Sequence, residues 1–290
     1  MRTIWNPWHG CRKISEGCAH CYMYFLDRLR GADGRRVYRT GEFDYPVRRD
    51  RHGRYLVPAG MMLWVGMTSD FFLDEADAWR PAAWDMVRER SDVCFLFITK
   101  RVDRIGQCLP PDWGSGWPNV IVYATTENQR RADERVPLLL DLPLPHRGVT
   151  CSPIIGPVDL SPWLSCGKIE RVMCGGENYD GCRPCDFDWV KSLAAQCRAA
   201  NVSFSFFETG TIFVKDGKTY RLPSKRLQSE MAYKSGVSFE GRPQRFDLRT
   251  ALGFPLEDED RCVPRFKEHC SRCGSRPFCA GCSDCGKCGM

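Results

Sequence analysis

Three cysteines stand within eleven residues near the start of the chain, in the stretch HGCRKISEGCAHCYM, as Cys11, Cys18 and Cys21. A closed structural metal site usually takes four protein ligands, whereas a catalytic site keeps one position open. The spacing C-x6-C-x2-C therefore admits two chemistries. His9 or His20 could complete a closed Cys3His zinc site. Alternatively the three soft thiolates could hold a [4Fe-4S] cluster and leave one iron without a protein ligand. Such an iron can be chelated by the amino and carboxylate groups of S-adenosylmethionine (SAM). An electron from the reduced cluster then breaks the sulfonium bond, and the resulting 5′-deoxyadenosyl radical can abstract an unactivated hydrogen. In that chemistry the protein supplies cluster ligands, a cofactor pocket and the exclusion of water. Spacing alone leaves zinc and iron–sulfur both open.

The chain carries eighteen cysteines. No run of eighteen apolar residues marks a membrane span, and MRTIWNPWHG lacks the apolar core of a secretory signal. A cytoplasmic location with no membrane partner is expected, so the thiols read as metal ligands or small buried hydrophobes rather than a disulfide framework. Seven cluster at the end: Cys262, Cys270, Cys273, Cys279, Cys282, Cys285 and Cys288. Together with the C-x2-C pair Cys182 and Cys185 they make nine, enough for two four-ligand sites holding auxiliary iron–sulfur clusters or zinc.

These ligands need a scaffold to bring them together. Apolar runs recur at 61–67, 93–99, 119–126, 147–153, 169–177 and 202–208, and their near-continuous hydrophobicity suits strands covered on both faces. RTIW ahead of the first cysteine reads as a short opening strand. Helical spacing lies between the runs, in WRPAAWDMVRER, in NQRRADERVPLLLDL with a kink or break expected at Pro137, and in DFDWVKSLAAQCRAA with Asp186 as N-cap. Alternating strands and helices predict an α/β fold, either a complete or partial barrel or an open doubly wound sheet. The cysteine loop would leave the C-terminal end of strand one, where such folds place their chemistry. Three regions are expected: residues 1–210 as the barrel, 211–255 as a hairpin around Asp216-Gly217 plus a connecting segment, and 256–290 as a metal-binding tail. Cys151 and Cys174 end two core strands. Facing the reaction chamber, either could donate hydrogen to a substrate radical; otherwise they are inert packing.

Charge is uneven. Residues 1–60 hold twelve Lys/Arg against six Asp/Glu, which accounts for the whole net charge of +6, and nine of those Arg fall between Arg28 and Arg54. Such a segment could steer a nucleotide or nucleic acid, or be a solvated arginine-rich insertion.

WNPWHGC with SEGCAHCY, TKR (99–101), TENQRRADERVPLLLDLP, SPIIGPVDL, GGEN (175–178) and DWVKSLAAQCRAANVSFSF resemble, in order, a phage-type family of unknown function grouped with radical SAM proteins. The resemblance covers about Trp5 to Gly210. It implies a partial (β/α)6-type barrel, a cluster on Cys11, Cys18 and Cys21, bound SAM, and a reductant protein of the flavodoxin or ferredoxin type. Carried over by position, it makes Gly66, Ser69, Asp70, Thr99, Lys100, Glu127, Asn128, Gly175, Gly176, Glu177 and Asn178 candidates for holding SAM. Glycines admit close backbone approach, and carboxylates accept hydrogen bonds from ribose hydroxyls or an amino group. The first cysteine gap is longer than the C-x3-C-x2-C of most radical SAM enzymes. Ser152 stands where family members often carry Glu, and the Cys182/Cys185 pair is additional. The tail partly resembles the auxiliary-cluster extension of peptide-modifying radical SAM enzymes. A radical SAM enzyme acting on a nucleotide or nucleic acid is therefore expected, a peptide-modifying enzyme is the second reading, and a non-catalytic zinc protein binding nucleic acid is the rival.

Overall fold

The computed structural model describes residues 2–257 of the chain. Seven parallel strands form one sheet: β1 (Ile4–Trp5), β2 (Met62–Val65), β3 (Cys94–Thr99), β4 (Val120–Thr125), β5 (His146–Cys151), β6 (Arg171–Gly175) and β7 (Ser203–Glu208). Each pairs only with its neighbour in sequence, and the sheet curls into a half-barrel. All six apolar runs contain a strand, because each supplies β-branched or aromatic side chains to two buried faces.

The convex face packs on helices. α1 (Tyr22–Leu29), α2 (Arg80–Glu89), α3 (Gln129–Asp141), α4 (Phe187–Ala199) and α5 (Lys225–Lys234) are the longer ones. Asn128 caps α3 by accepting from the Arg131 N–H, and Asp186 caps α4 by accepting from the Asp188 N–H. α3 runs on through Pro137 instead of breaking there. Its buried stripe of Ala132, Val136 and Leu139 holds both halves against the sheet, which offsets the lost backbone bond. One large core lies between sheet and helices, joining Phe95, Phe97, Val122, Val149 and Val172 to Trp84, Val136, Val190 and Leu193.

Strand alternation gives the concave face a different set. Met62, Cys94, Leu96, Ile121, Tyr123 and Met173 form a second cluster, covered by Phe246, Leu248 and Leu256. The hairpin at Ile212–Lys215 and Lys218–Arg221 turns at Asp216 and Gly217, both at positive φ as a two-residue turn requires. Its first strand also pairs, in parallel, with Cys185–Asp186. Among the described residues no helix is long and apolar enough to cross a membrane.

Candidate functional site

β1 ends at Trp5, and the chain then runs along the C-terminal edge of the sheet to Cys21. Gly10 is pinned there. Its φ is +90°, its N–H donates to the Thr68 carbonyl at 3.1 Å, and any Cβ would lie 2.2 Å from the Arg36 carbonyl oxygen. Only glycine fits this crossing. Cys11 follows, held by its N–H to the Gly34 carbonyl at 2.9 Å and by the Tyr24 hydroxyl, which donates to its carbonyl.

The next residues carry three attachments to charged side chains, one of them an ion pair. The Ser15 hydroxyl donates to Glu127, whose other oxygen receives Arg135 at 2.7 Å; Glu127 is fully buried. Glu16 receives Asn128 Nδ2 at 2.6 Å and Arg131 through Nε at 3.0 Å and Nη2 at 2.6 Å. Those bonds, Arg131 foremost, pull its carboxyl down to about 2. Arg183 grips Glu177 in a fork, at 2.9 and 2.6 Å, and also donates to the Glu16 carbonyl at 2.9 Å. Gly17 sits against Glu127 so closely that a Cβ would come within 2.7 Å of the carboxylate. A turn of 3-10 helix at Glu16–Cys18 then delivers Cys18, and α1 begins directly after Cys21.

The three thiols are half-buried and near enough to feel one another's charge. Burial, aided by the Asp70 carboxylate, pushes Cys11 up to about 11, against the pull of Arg101. Burial also raises Cys21. At Cys18 burial is outweighed by the Lys100 charge and by the Ile14 and Ser15 N–H groups, and the thiol is lowered. Two cations thus sit beside the sulfurs: Lys100, and Arg101, whose Nη1 lies 3.9 Å from Cys11 Sγ. A cation beside a sulfur favours the thiolate that a metal requires. Neither histidine adjoining the loop closes the set: His9 Nε2 bonds Asp27 at 2.8 Å, and His20 lies against Gly181. Among the described residues no three His, Cys, Asp or Glu side chains converge around a single metal ion.

The SAM candidates lie at the last residue of a strand or on the loops at this edge, and most of their polar atoms are already bonded within the protein. Asp70 receives Thr99 Oγ1 at 2.8 Å, the Phe72 N–H at 3.0 Å, the Lys100 N–H at 3.2 Å and Arg101 at 3.2 Å. Ser69 donates to the Gly10 carbonyl, and Asn178 donates to Glu208 at 3.0 Å. Glu127, Asn128 and Glu177 belong to the attachments above. Gly175 and Gly176 are glycine because Phe207 and the Thr209 carbonyl occupy the space a side chain would need. Gly66, at φ +74°, has ordinary clearance. The buried hydroxyls of Thr68 and Thr125 have no hydrogen-bond partner among the described residues. Both stand on this edge.

Cys151 and Cys174 are register partners on β5 and β6. Contrary to the expectation that they face a chamber, alternation turns them toward the helices, into the core with Val190, Leu193 and Cys197. Burial pushes Cys151 up to about 12 and Cys174 well above the usual thiol range. Cys185 is packed in the same core, and Cys182 lies in the turn after Tyr179. Cys262, Cys270, Cys273, Cys279, Cys282, Cys285 and Cys288 lie outside the described residues. Sequence reasoning missed Arg101, Ser15, Glu16, Arg131, Arg135 and Arg183. TKR at 99–101 was a signal for the first, but nothing local marks residues that act across more than a hundred positions.

The arginine-rich segment divides. Gly34 and Arg36 adjoin the thiol loop, whereas the stretch after Tyr45 runs to the opposite end of the sheet, where the buried Arg90 bonds the Pro46 and Val57 carbonyls. A cavity of about 600 Å3 lined by Arg54, Tyr55 and Asp92 opens at that far end, away from the thiols. Arg28, Arg35, Arg48 and Arg54 pair with carboxylates. Arg30, Arg36 and Arg39 are exposed without such a partner among the described residues.

Residues 1–246 match a family model described as a protein of unknown function (DUF5131). No curated protein and no solved structure matches the chain.

Proposed function

The chain belongs to that family of unknown function, and from this premise we propose that it is a radical SAM enzyme with its cluster on Cys11, Cys18 and Cys21. A [4Fe-4S] cluster with SAM bound supplies one-electron cleavage of a sulfonium bond and hydrogen abstraction from a substrate. The observation that carries the reading is the donor set: three half-buried thiols, flanked by Lys100 and Arg101, on the C-terminal edge of a parallel half-barrel. Thiols around one zinc ion lie about 3.8 Å apart, as Zn–S bonds near 2.3 Å dictate. A cluster sets each thiolate on a separate iron and spreads them further.

The chain's own residues have separable tasks. Cys11, Cys18 and Cys21 would hold the cluster, and Lys100 and Arg101 would offset the negative charge of its thiolates. The partnerless hydroxyls of Thr68 and Thr125, the partnerless Oδ1 of Asn178 and the clear backbone at Gly66 are groups left to bind the cofactor. Exposed Lys13 and Arg36 beside the loop, with Arg39 near them, support a nucleotide or nucleic acid as substrate. A flavodoxin- or ferredoxin-type protein would deliver the electron, and the tail cysteines would carry auxiliary clusters.

Anaerobic purification tests this. The wild type should be brown and carry about four more irons per chain than the Cys11/Cys18/Cys21→Ala variant. With dithionite and SAM it should release 5′-deoxyadenosine. Colourless, zinc-loaded protein, or a full cluster that yields none, rejects the enzyme. Oligonucleotide and peptide products, compared by mass, decide between the two substrate classes.

A further inference from the structure

We propose that Glu127, Glu16 and Glu177 form a three-point ionic clamp that fixes the segment Ser15–Gly17, and through it Cys18, so that metal loading depends on residues that never touch the metal. The inference rests on the cluster reading for its purpose, but the clamp itself can be tested without metal. Its points come from separate places. Glu127 follows β4 and takes the Ser15 hydroxyl while Arg135 of α3 neutralises it from behind. Glu16 reaches outward to the first turn of α3, to Asn128 and Arg131. Glu177 follows β6 and holds Arg183, whose Nη2 is shared between Glu177 and the Glu16 carbonyl. The segment is thus fixed by one side-chain hydroxyl, one carboxylate and one backbone oxygen.

Two observations indicate positioning rather than general stability. The bonds converge on two successive residues, Ser15 and Glu16, just ahead of a ligand, on a loop where Cys11 has its own, unrelated tethers at Gly34, Tyr24 and Arg101. Gly17 is also packed on Glu127 with no room for a methyl group, so the loop's path is set to the width of that carboxylate. Three thiolates must be held at fixed separation to take a rigid cluster, and loss of partners behind metal ligands typically weakens metal binding roughly 10–100-fold. Glu127, Glu16 and Glu177 are positioning residues in this sense.

The test uses the full chain. In metal-free protein, iodoacetamide labelling read cysteine by cysteine should show Cys18 reacting about tenfold faster, relative to Cys11, in Glu127→Ala and in Gly17→Ala. Glu127→Gln, which keeps an acceptor for Ser15 but not for Arg135, should give a ratio closer to the wild type than Glu127→Ala does. Thermal melts identify any variant that fails to fold, and Gly17→Ala removes no ionic group. After anaerobic loading, the two disruptive variants should lose iron to a chelator roughly 10–100-fold sooner than the wild type. An unchanged Cys18 to Cys11 ratio in folded Gly17→Ala overturns the clamp. Wild-type protein that takes up no iron overturns the cluster instead, while the labelling ratio still judges the clamp.

Discussion

Asp70 and Arg101 act on Cys11 with opposite signs, and their removal should therefore move its reactivity in opposite directions. Asp70 is buried, accepts four hydrogen bonds, and raises the Cys11 thiol; Arg101, equally buried, lowers it. Burial is the larger cause and is shared by both variants. Asp70→Asn deletes the charge and keeps one acceptor oxygen, enough for the Thr99 and Phe72 bonds, while the Lys100 and Arg101 bonds to the second oxygen are lost. Deleting that charge lowers the Cys11 thiol; each loss of about 1.4 kcal/mol of repulsion enlarges the thiolate fraction at pH 8 about tenfold. A less basic thiolate is also a weaker nucleophile, with a Brønsted slope of about 0.4–0.5, so the net gain in alkylation rate is about threefold for each such tenfold. Arg101→Gln should slow the same reaction and push the apparent pKa above the wild-type value. The assay is the pH dependence of Cys11 labelling in metal-free protein, with Cys18 as internal reference because its charged neighbour is Lys100. Shifts of the same sign in both variants would show that the loop had come loose, and would refute the electrostatic account.

Three further outcomes are expected. Buried thiols Cys94, Cys151 and Cys174 hold their protons more tightly than unfolded cysteine, whose ordinary value is 9.0, so above pH 9 the native chain binds more protons than the unfolded one. Stability then falls with rising pH, by up to about 1.4 kcal/mol per unit per thiol, and urea midpoints measured from pH 8 to 10.5 should decline. Glu16 behaves oppositely: its contribution is present above pH 4.5 and lost as pH falls toward about 2. Because about a third of that side chain meets solvent, Glu16→Gln should cost only about 1 kcal/mol at pH 7 and nothing at pH 2, by urea titration. Removing Glu127 alone should cost about 3–5 kcal/mol, since it strands Arg135 in the core, whereas Glu127→Leu with Arg135→Met should recover most of the loss in a thermal melt. A double variant no more stable than the single one would contradict the buried-pair argument.

The scaffold was legible because its signal is local. VCFLFIT and NVIVYATT are continuous apolar runs, and the 3.6-residue stripe of α4 with Asp186 ahead of it needs no distant partner to be recognised. The cysteine loop was legible for the same reason, as three thiols close in sequence. Which face Cys151 and Cys174 present was not, since a run buried on both sides carries no alternation to orient it. Nor were the roles of Glu127 and Glu177, each placed by contacts with residue types that read locally as caps or turns. Pro137 shows the limit of propensity: tertiary packing carried the helix past it.

The strand order has a consequence for biosynthesis. With every strand adding beside the one made before it, the sheet can grow edgewise as the polypeptide leaves the ribosome. Cys11, Cys18 and Cys21 emerge first, yet Glu177 and Arg183, which complete the fixing of their loop, are translated some 160 residues later. The last of that loop's attachments is thereby deferred until nearly the whole half-barrel exists, and a truncated product ending before β6 would bear all three sulfurs without the Glu177–Arg183 hold on Glu16.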